Sequence, residues 1–242
     1  MTVGARAPLR AFFFDAGNTL IRMDFAAMAG ALSAAGARVE PATLERAEWR
    51  ARVRLDGELA ARPESTESGG VAERYLAYVL DEAGLRDPRL VAALVAWRRT
   101  FNAPLGVWTA PAPRAAQALR LARQAGLRTG VISNSDGTVR TILDRLGLSR
   151  DLDFVLDSHE VGVEKPDPRI FALALERAGV APAEAAYVGD LYSVDVLGAR
   201  RAGLAAVLLD PGGCWGPRDC PRAPDALAAV RLMLGAATPS VG

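Results

Sequence analysis

The 242-residue chain has one histidine, His159, one lysine, Lys165, and two cysteines, Cys214 and Cys220. Two thiols without a second ligand pair make a poor zinc site, so they read as free thiols in a loop; a disulfide between them would be unusual in the cytoplasm. Any Ser-His or Cys-His nucleophile would have to use His159, and no Gly-x-Ser-x-Gly elbow accompanies it. Charge of either sign is not in excess: the formal net charge is +1, which gives no electrostatic case for nucleic acid or an anionic membrane. No apolar run approaches the roughly 18 residues that span a bilayer. Met1 to Arg10 lacks the apolar stretch of a signal peptide, and Phe12 to Phe14 is too short to supply it. These absences predict a cytoplasmic protein with neither a nucleic-acid nor a membrane partner. The scarcity of lysine, one against 28 arginines, reflects coding bias. Yet ammonium and guanidinium do different chemistry, so Lys165 marks a position to watch.

What is present begins with Phe12-Phe13-Phe14-Asp15-Ala16-Gly17-Asn18-Thr19-Leu20. Three phenylalanines after Leu9 and Ala11 predict a short strand buried on both faces, ending at a carboxylate. Gly17 and Asn18 then permit a sharp turn. From about Asp24 to Phe101 the composition turns helical, with predicted helices over 25–35, 41–62, 71–83 and 88–101. The polar stretch 63–70 (PESTESGG) reads as a turn or mobile loop. On the second helix Leu44, Ala47 and Ala51 share a side. Residues 102–113, with three prolines, form a return linker. From Arg114 the order alternates: helices over 114–124, 138–146, 168–178, 193–202 and 225–234 between strands over 127–133, 152–156, 185–188 and, last, 205–209. Residues 236–242 read as a frayed tail. Alternating βαβα with short apolar strands predicts an α/β fold, a mostly parallel sheet covered on both faces. The division is 1–22 and 105–242 as the core, with 23–104 as an inserted all-helical domain.

The strand ends carry the chemistry. The first ends in Asp15, the second in Ser133-Asn134, and the fourth in Gly189-Asp190 with Asp195 close behind; Lys165-Pro166 follows the third. In a parallel sheet these ends share one edge, so the groups can converge. Asp15, Asp190 and Asp195 together repel one another, and Mg²⁺ relieves that while keeping several waters. Ion and Lys165 would draw in a dianion such as phosphate, Ser133 and the helix start beyond it would donate to its oxygens, and Asp15 remains as nucleophile. Taken singly, Asp190 and Asp195, and likewise Ser133, also read as helix caps.

This constellation resembles the haloacid dehalogenase superfamily over the whole chain, through Asp15-x-x-x-Thr19-Leu20, Ser133, Lys165-Pro166, and Gly189-Asp190 with Asp195. The resemblance implies a Rossmann-like core with a mobile helical cap inserted after the first strand. It implies Asp15, Ser133 and Lys165 as the catalytic set, and Asn134 and Gly17 toward the substrate. Mg²⁺ would be held by Asp15, the Gly17 carbonyl, Asp190 and, through water, Asp195. A small phosphorylated metabolite is the expected partner, for a monomer or homodimer.

One position departs from the pattern. In the superfamily's phosphatases the residue two after the nucleophile is a second Asp, acid to the leaving alkoxide and then base for the water; here it is Gly17. General acid–base catalysis is worth about 10²–10⁴-fold, so leaving groups that need little protonation, aryl or acyl phosphates, suffer least. Two rivals follow: a haloacid dehalogenase-type hydrolase, and an inactive member serving as a binding or regulatory module. Haloacid dehalogenases carry an aromatic at this position and lack the metal-binding Asp, so Gly17 and Asp190 weigh against the first. Retention of Asp15, Lys165 and Asp190 weighs against the second. An imine-forming cap lysine is excluded, since no lysine lies between Asp24 and Phe101. Arg22, Asp24, Trp49, Arg50 and Arg54 are candidates to face the site, although charged helix residues more often form a solvated face; His159 falls near the rim and is assigned no chemistry.

Overall fold

The computed structural model describes residues 8–235; the tail predicted over 236–242 lies outside them. Strand β1 (Ala11–Phe14) is wholly buried and occupies the middle of a six-stranded sheet. The pleat divides it: Phe12 and Phe14 join the core on one face, Ala11 and Phe13 the core on the other. β2 (Ile21–Arg22) follows, then four helices: α1 (Phe25–Ala34), α2 (Pro41–Ala61), α3 (Gly69–Glu82) and α4 (Pro88–Thr100). β3 (Ala110–Pro111) pairs antiparallel with β2, so the chain leaves and re-enters the core through one two-stranded neck.

The alternating half follows: α5 (Ala115–Gln124), β4 (Arg128–Ser133), α6 (Val139–Arg145), β5 (Phe154–Asp157), α7 (Ser158–Val161), α8 (Pro168–Ala178), β6 (Ala185–Gly189), α9 (Leu197–Arg201), β7 (Ala205–Leu209), β8 (Arg222–Ala223) and α10 (Ala226–Met233). The sheet order is β5-β4-β1-β6-β7-β8, every pair parallel. β1 thus lies between β4 and β6, at the switch point where open α/β sheets place their sites. α5 and α10 cover one face and α8 and α9 the other.

Several local expectations differ. β7 is not the last strand, because Arg222–Ala223 adds a short parallel edge. Leu152 lies outside β5, which starts at Phe154 after a 3₁₀ turn over Ser149–Asp151. The helix expected from Ser193 opens as a π-helical turn over Tyr192–Val196 before α9. α7 was not anticipated: Asp157 caps it by accepting from the His159 N–H at 3.0 Å.

The four helices hold their own apolar core, with Met28, Leu32, Leu44, Ala47, Ala51, Val79, Leu80 and Leu94 buried together. The expected side of α2, Leu44, Ala47 and Ala51, is fully buried there. Pro41 starts α2 at its first turn, where its missing N–H is harmless. α2 carries a second buried stripe, Glu48, Arg52 and Asp56, four residues apart and turned toward the sheet edge. Among the described residues no helix is long and apolar enough to cross a membrane. Cys214 and Cys220 are unpaired thiols.

Candidate active site

The carboxyl ends of β1, β4 and β6 converge under the four-helix block. Lys165 is buried, and its Nζ donates to Asp15 Oδ1 at 2.6 Å, Asp195 Oδ1 at 2.8 Å and the Tyr187 hydroxyl at 2.9 Å. Tyr187, in the middle of β6, donates in turn to Asp195 Oδ1 at 2.8 Å. The other oxygen of Asp195 accepts from the Asp190 and Leu191 N–H groups at 3.1 and 2.9 Å. Both oxygens of Asp195 are therefore engaged: it fixes the turn that presents Asp190 and anchors the lysine. Gly189 makes this possible, since a β-carbon there would stand 2.3 Å from Asp195 Cγ.

Asp190 meets a second set of partners. Asn18, in the left-handed region (φ 53°) that asparagine tolerates, places its Nδ2 2.9 Å from Asp190 Oδ2 and 3.0 Å from Glu48 Oε1. Arg52 Nε donates to Glu48 Oε1 at 2.8 Å, and its guanidinium reaches Asp190 Oδ2 at 3.4 Å. Tyr75 donates to the same Glu48. Asp56 accepts from the N–H and hydroxyl of Ser193, both at 2.7 Å, at the start of the π-helical turn. The α2 stripe thus binds the helical block to the strand ends.

The remaining expected groups are at hand. Ser133 is buried at the end of β4 and lines the cavity. Asn134 clasps the backbone of Lys165, its Oδ1 accepting from Lys165 N at 2.8 Å and its Nδ2 donating to Lys165 O at 3.0 Å. Gly17 lies beside Trp108, whose ring stands 3.6 Å from where a Gly17 β-carbon would be. By contrast Arg22, Asp24, Trp49, Arg50 and Arg54 do not line the cavity. Arg22 pairs with Glu45, Arg50 with Glu82 and Arg54 with Asp81, while Asp24 caps α1. Trp49 packs against Gly212, and His159 is exposed outside the cavity wall.

Asp15, Asp190 and Asp195 each offer an oxygen within 4.8 Å of the others. With Glu48, four buried carboxylates face two buried cations, Lys165 and Arg52. Burial pushes Asp15 up to about 6, Lys165 opposing and Asp195 reinforcing the rise. Asp190 is also held well above the usual carboxylate range by burial, against the pull of Arg52. Lys165 is pushed up: burial alone would lower it, and Asp15 with Asp195 outweighs that. A cluster short of positive charge and rich in oxygen donors is the donor set of a hard divalent cation, so these residues fit Mg²⁺.

Above the cluster lies a cavity of about 230 Å³ between sheet edge and helices. Its polar floor is Asp15, Ser133, Asn134 and Lys165, while Leu55, Val71, Tyr75, Val107 and Trp108 make much of the roof apolar. A model of the haloacid dehalogenase-like hydrolase family matches residues 9–203. The chain belongs to that family. The human haloacid dehalogenase-like hydrolase domain-containing protein 3 is 36% identical over 213 residues, 84% of this chain and 83% of that protein. The match to the protein of that name from Bos taurus spans about half of each chain, 53% and 51%. A phosphoserine phosphatase from Thermus thermophilus is 40% identical over 162 residues, 65% of this chain and 61% of that one. Among solved structures, YfnB from Bacillus subtilis shares the fold, with a TM-score of 0.64 at 17% identity over 94% of this chain and 99% of that one.

Sequence reasoning did not single out Tyr187, Glu48, Arg52, Trp108 or Glu67, the last of which also lines the cavity. Tyr187 had a signal, a hydroxyl inside an otherwise apolar strand. Asn18 had one too, an amide three residues beyond the strand-end carboxylate.

Proposed function

We propose that the protein is a Mg²⁺-dependent phosphatase of a small phosphorylated metabolite, acting through a phosphoryl group carried on Asp15. The observation that supports this best is the placement of Asp15: a buried carboxylate at a strand end, fixed by a lysine ammonium and facing a cavity, with Asp190 adjacent. In this reading Asp15, Asp190 and the Gly17 carbonyl would hold the cation, with Asp195 fixing the turn that presents Asp190. When bound, Mg²⁺ would supply Lewis-acid charge to the phosphoryl oxygens.

Asp15 Oδ2 then attacks phosphorus, because Lys165 holds Oδ1 at 2.6 Å while Oδ2 has only the longer 3.4 Å contact from the Thr19 hydroxyl. Lys165 and the Ser133 hydroxyl steady the negative oxygens of the transferring group. The helical block, closed over the cavity, keeps bulk water from the reacting centre and shapes the pocket for the leaving group. This supports the division in which residues 23–104 act as a cap on a core of 1–22 and 105–242. Phosphatase names among the relatives point the same way.

The test is hydrolysis of an aryl phosphate by purified protein with Mg²⁺, with EDTA, and by Asp15→Asn. EDTA should abolish turnover and Asp15→Asn should lower it by roughly 10³-fold or more. Activity indifferent to both changes overturns the reading. A second reading, haloacid hydrolysis, draws on Trp108, which sets an aromatic ring beside Gly17. Metal-independent chloride release from 2-chloropropionate would favour it.

A further inference from the structure

The proposed reaction needs a proton for an alkoxide leaving group, and Gly17 cannot give one. Nor does the core fill the gap, since the side chain beside Gly17 is the indole of Trp108, in ordinary contact at 3.6 Å from where a β-carbon would be, and it carries no acid. The carboxyl groups that line the cavity are Asp15, Asp190, Asp195, Asp136 and Glu67. The first three form the cluster below the substrate. Asp136 is tied to Thr138 through Oδ1, which accepts from its hydroxyl at 2.6 Å and its N–H at 3.2 Å. Glu67 alone among these has a side chain with no hydrogen bond or ion pair among the described residues.

Its loop is nevertheless fixed. Ser65 donates to Glu164 Oε2 at 2.8 Å, Thr66 accepts from Asn134 Nδ2 at 3.0 Å, and the Glu67 N–H turns back to Ser65 Oγ at 3.2 Å. Asn134 is the residue that clasps Lys165, so Glu67 follows directly on the contact that ties the helical block to the phosphate end of the site. The stretch read from sequence as a turn or mobile loop holds a turn at 66–67 and is a docked strap with a carboxyl at the cavity wall.

We propose that Glu67 is a catalytic residue, the general acid and base that replaces the carboxyl missing at Gly17. This rests on the phosphatase reading above. As Asp15 forms its bond to phosphorus, the P–O bond to the leaving group breaks, and the electron pair left on that oxygen takes the Glu67 proton. The Glu67 carboxylate then accepts a proton from the water that attacks phosphorus. The bond to Asp15 breaks, inorganic phosphate leaves, and Glu67 is again protonated.

The surroundings suit both roles. Glu67 is an exposed residue that lines the cavity. Desolvation at the cavity wall, with the carboxylates of Asp136, Asp157 and Glu164 and against Lys165, pushes its carboxyl up to about 7. Arg98, on α4, is the cation on the cavity wall outside the cluster. An acid that titrates near neutrality can both give and take a proton there.

The experiment compares kcat/KM of wild type, Glu67→Gln and Glu67→Asp on an aryl phosphate with a good leaving group and on an alkyl phosphate, across pH 5–9. Wild type should lose alkyl-ester turnover as pH rises through about 7. Glu67→Gln should fall about 10²-fold on the alkyl ester, at least tenfold more than on the aryl ester, and lose that pH limb. Glu67→Asp should recover part of the loss. An equal fall on both esters makes Glu67 a structural residue and overturns the proposal, as does undiminished alkyl turnover. Failure of wild type to hydrolyse either ester overturns the phosphatase reading itself and this proposal with it; aryl turnover with no leaving-group dependence on Glu67 overturns this proposal alone.

Discussion

A β-carbon at Gly189 would stand 2.3 Å from Cγ and 2.6 Å from Oδ2 of Asp195, whereas one at Gly17 would meet Trp108 at an ordinary 3.6 Å. The two glycines therefore serve different ends. At Gly189 the missing side chain lets a carboxylate lie against the strand end and accept two backbone N–H groups. At Gly17 there is room for more, and the residue's smallness sets chemistry rather than packing. Gly189→Ala is expected to destabilise by roughly 1–3 kcal/mol or more, because Asp195 and the Asp190 turn must move. Gly17→Ala should stay within about 0.5 kcal/mol. Thermal melts of both variants check this, and a Gly189→Ala protein as stable as Gly17→Ala would refute it.

At the scale of elements, α2 shows how the helical block is seated. Its apolar side builds the block's own core, while Glu48, Arg52 and Asp56 project to the sheet edge. Arg52 sits between two buried carboxylates, and removing it would leave both Glu48 and Asp190 without their cation. Breaking such a buried pair costs about 3–5 kcal/mol. Arg52→Met is therefore expected to melt well below wild type, and Mg²⁺, by supplying charge at Asp190, should raise its melting temperature more than that of wild type. Equal shifts with Mg²⁺ would show that Arg52 and the cation site are independent.

The same helix explains what could be read beforehand. Apolar strands reveal themselves by composition, and their ends name the groups that converge, so Asp15, Ser133, Lys165, Asp190 and Asp195 were all legible. A charged residue on a helix has no such mark, since most face solvent, and only the partner across the interface shows that Arg52 is buried while Arg50 and Arg54 are not. β2, β3 and β8 have two residues each, too few for any period to register. The strap over 63–70 has the composition of a free turn; its order comes from Glu164 and Asn134, which lie 99 and 68 residues further along the chain from Ser65 and Thr66.

Seen whole, the molecule is two bodies, the sheet with an apolar core on each face and the helical block with its own, joined largely by polar contacts: Asn18 to Glu48, Arg52 to Asp190, Asp56 to Ser193, Ser65 to Glu164 and Asn134 to Thr66. A small apolar set, Leu55, Leu59, Val71 and Val194, completes the joint. Such a joint can open without exposing the core of either body, which suits a cavity that must admit substrate. Glu67 puts a cost on closing it. In the folded protein desolvation pushes its carboxyl up to about 7, against an ordinary value of 4.5. Below the ordinary value it is neutral in both folded and unfolded chains and costs nothing. As pH rises toward 7 the unfolded chain ionises freely while the folded one resists, so stability falls through that window and the full penalty stands above it. Glu67→Gln, which cannot ionise, should match wild type near pH 4.5 and melt higher above pH 7, while turning over alkyl phosphates more slowly. A melting curve paired with the rate measurement checks both, because a carboxyl kept for catalysis at the expense of stability must show the two changes in opposite directions.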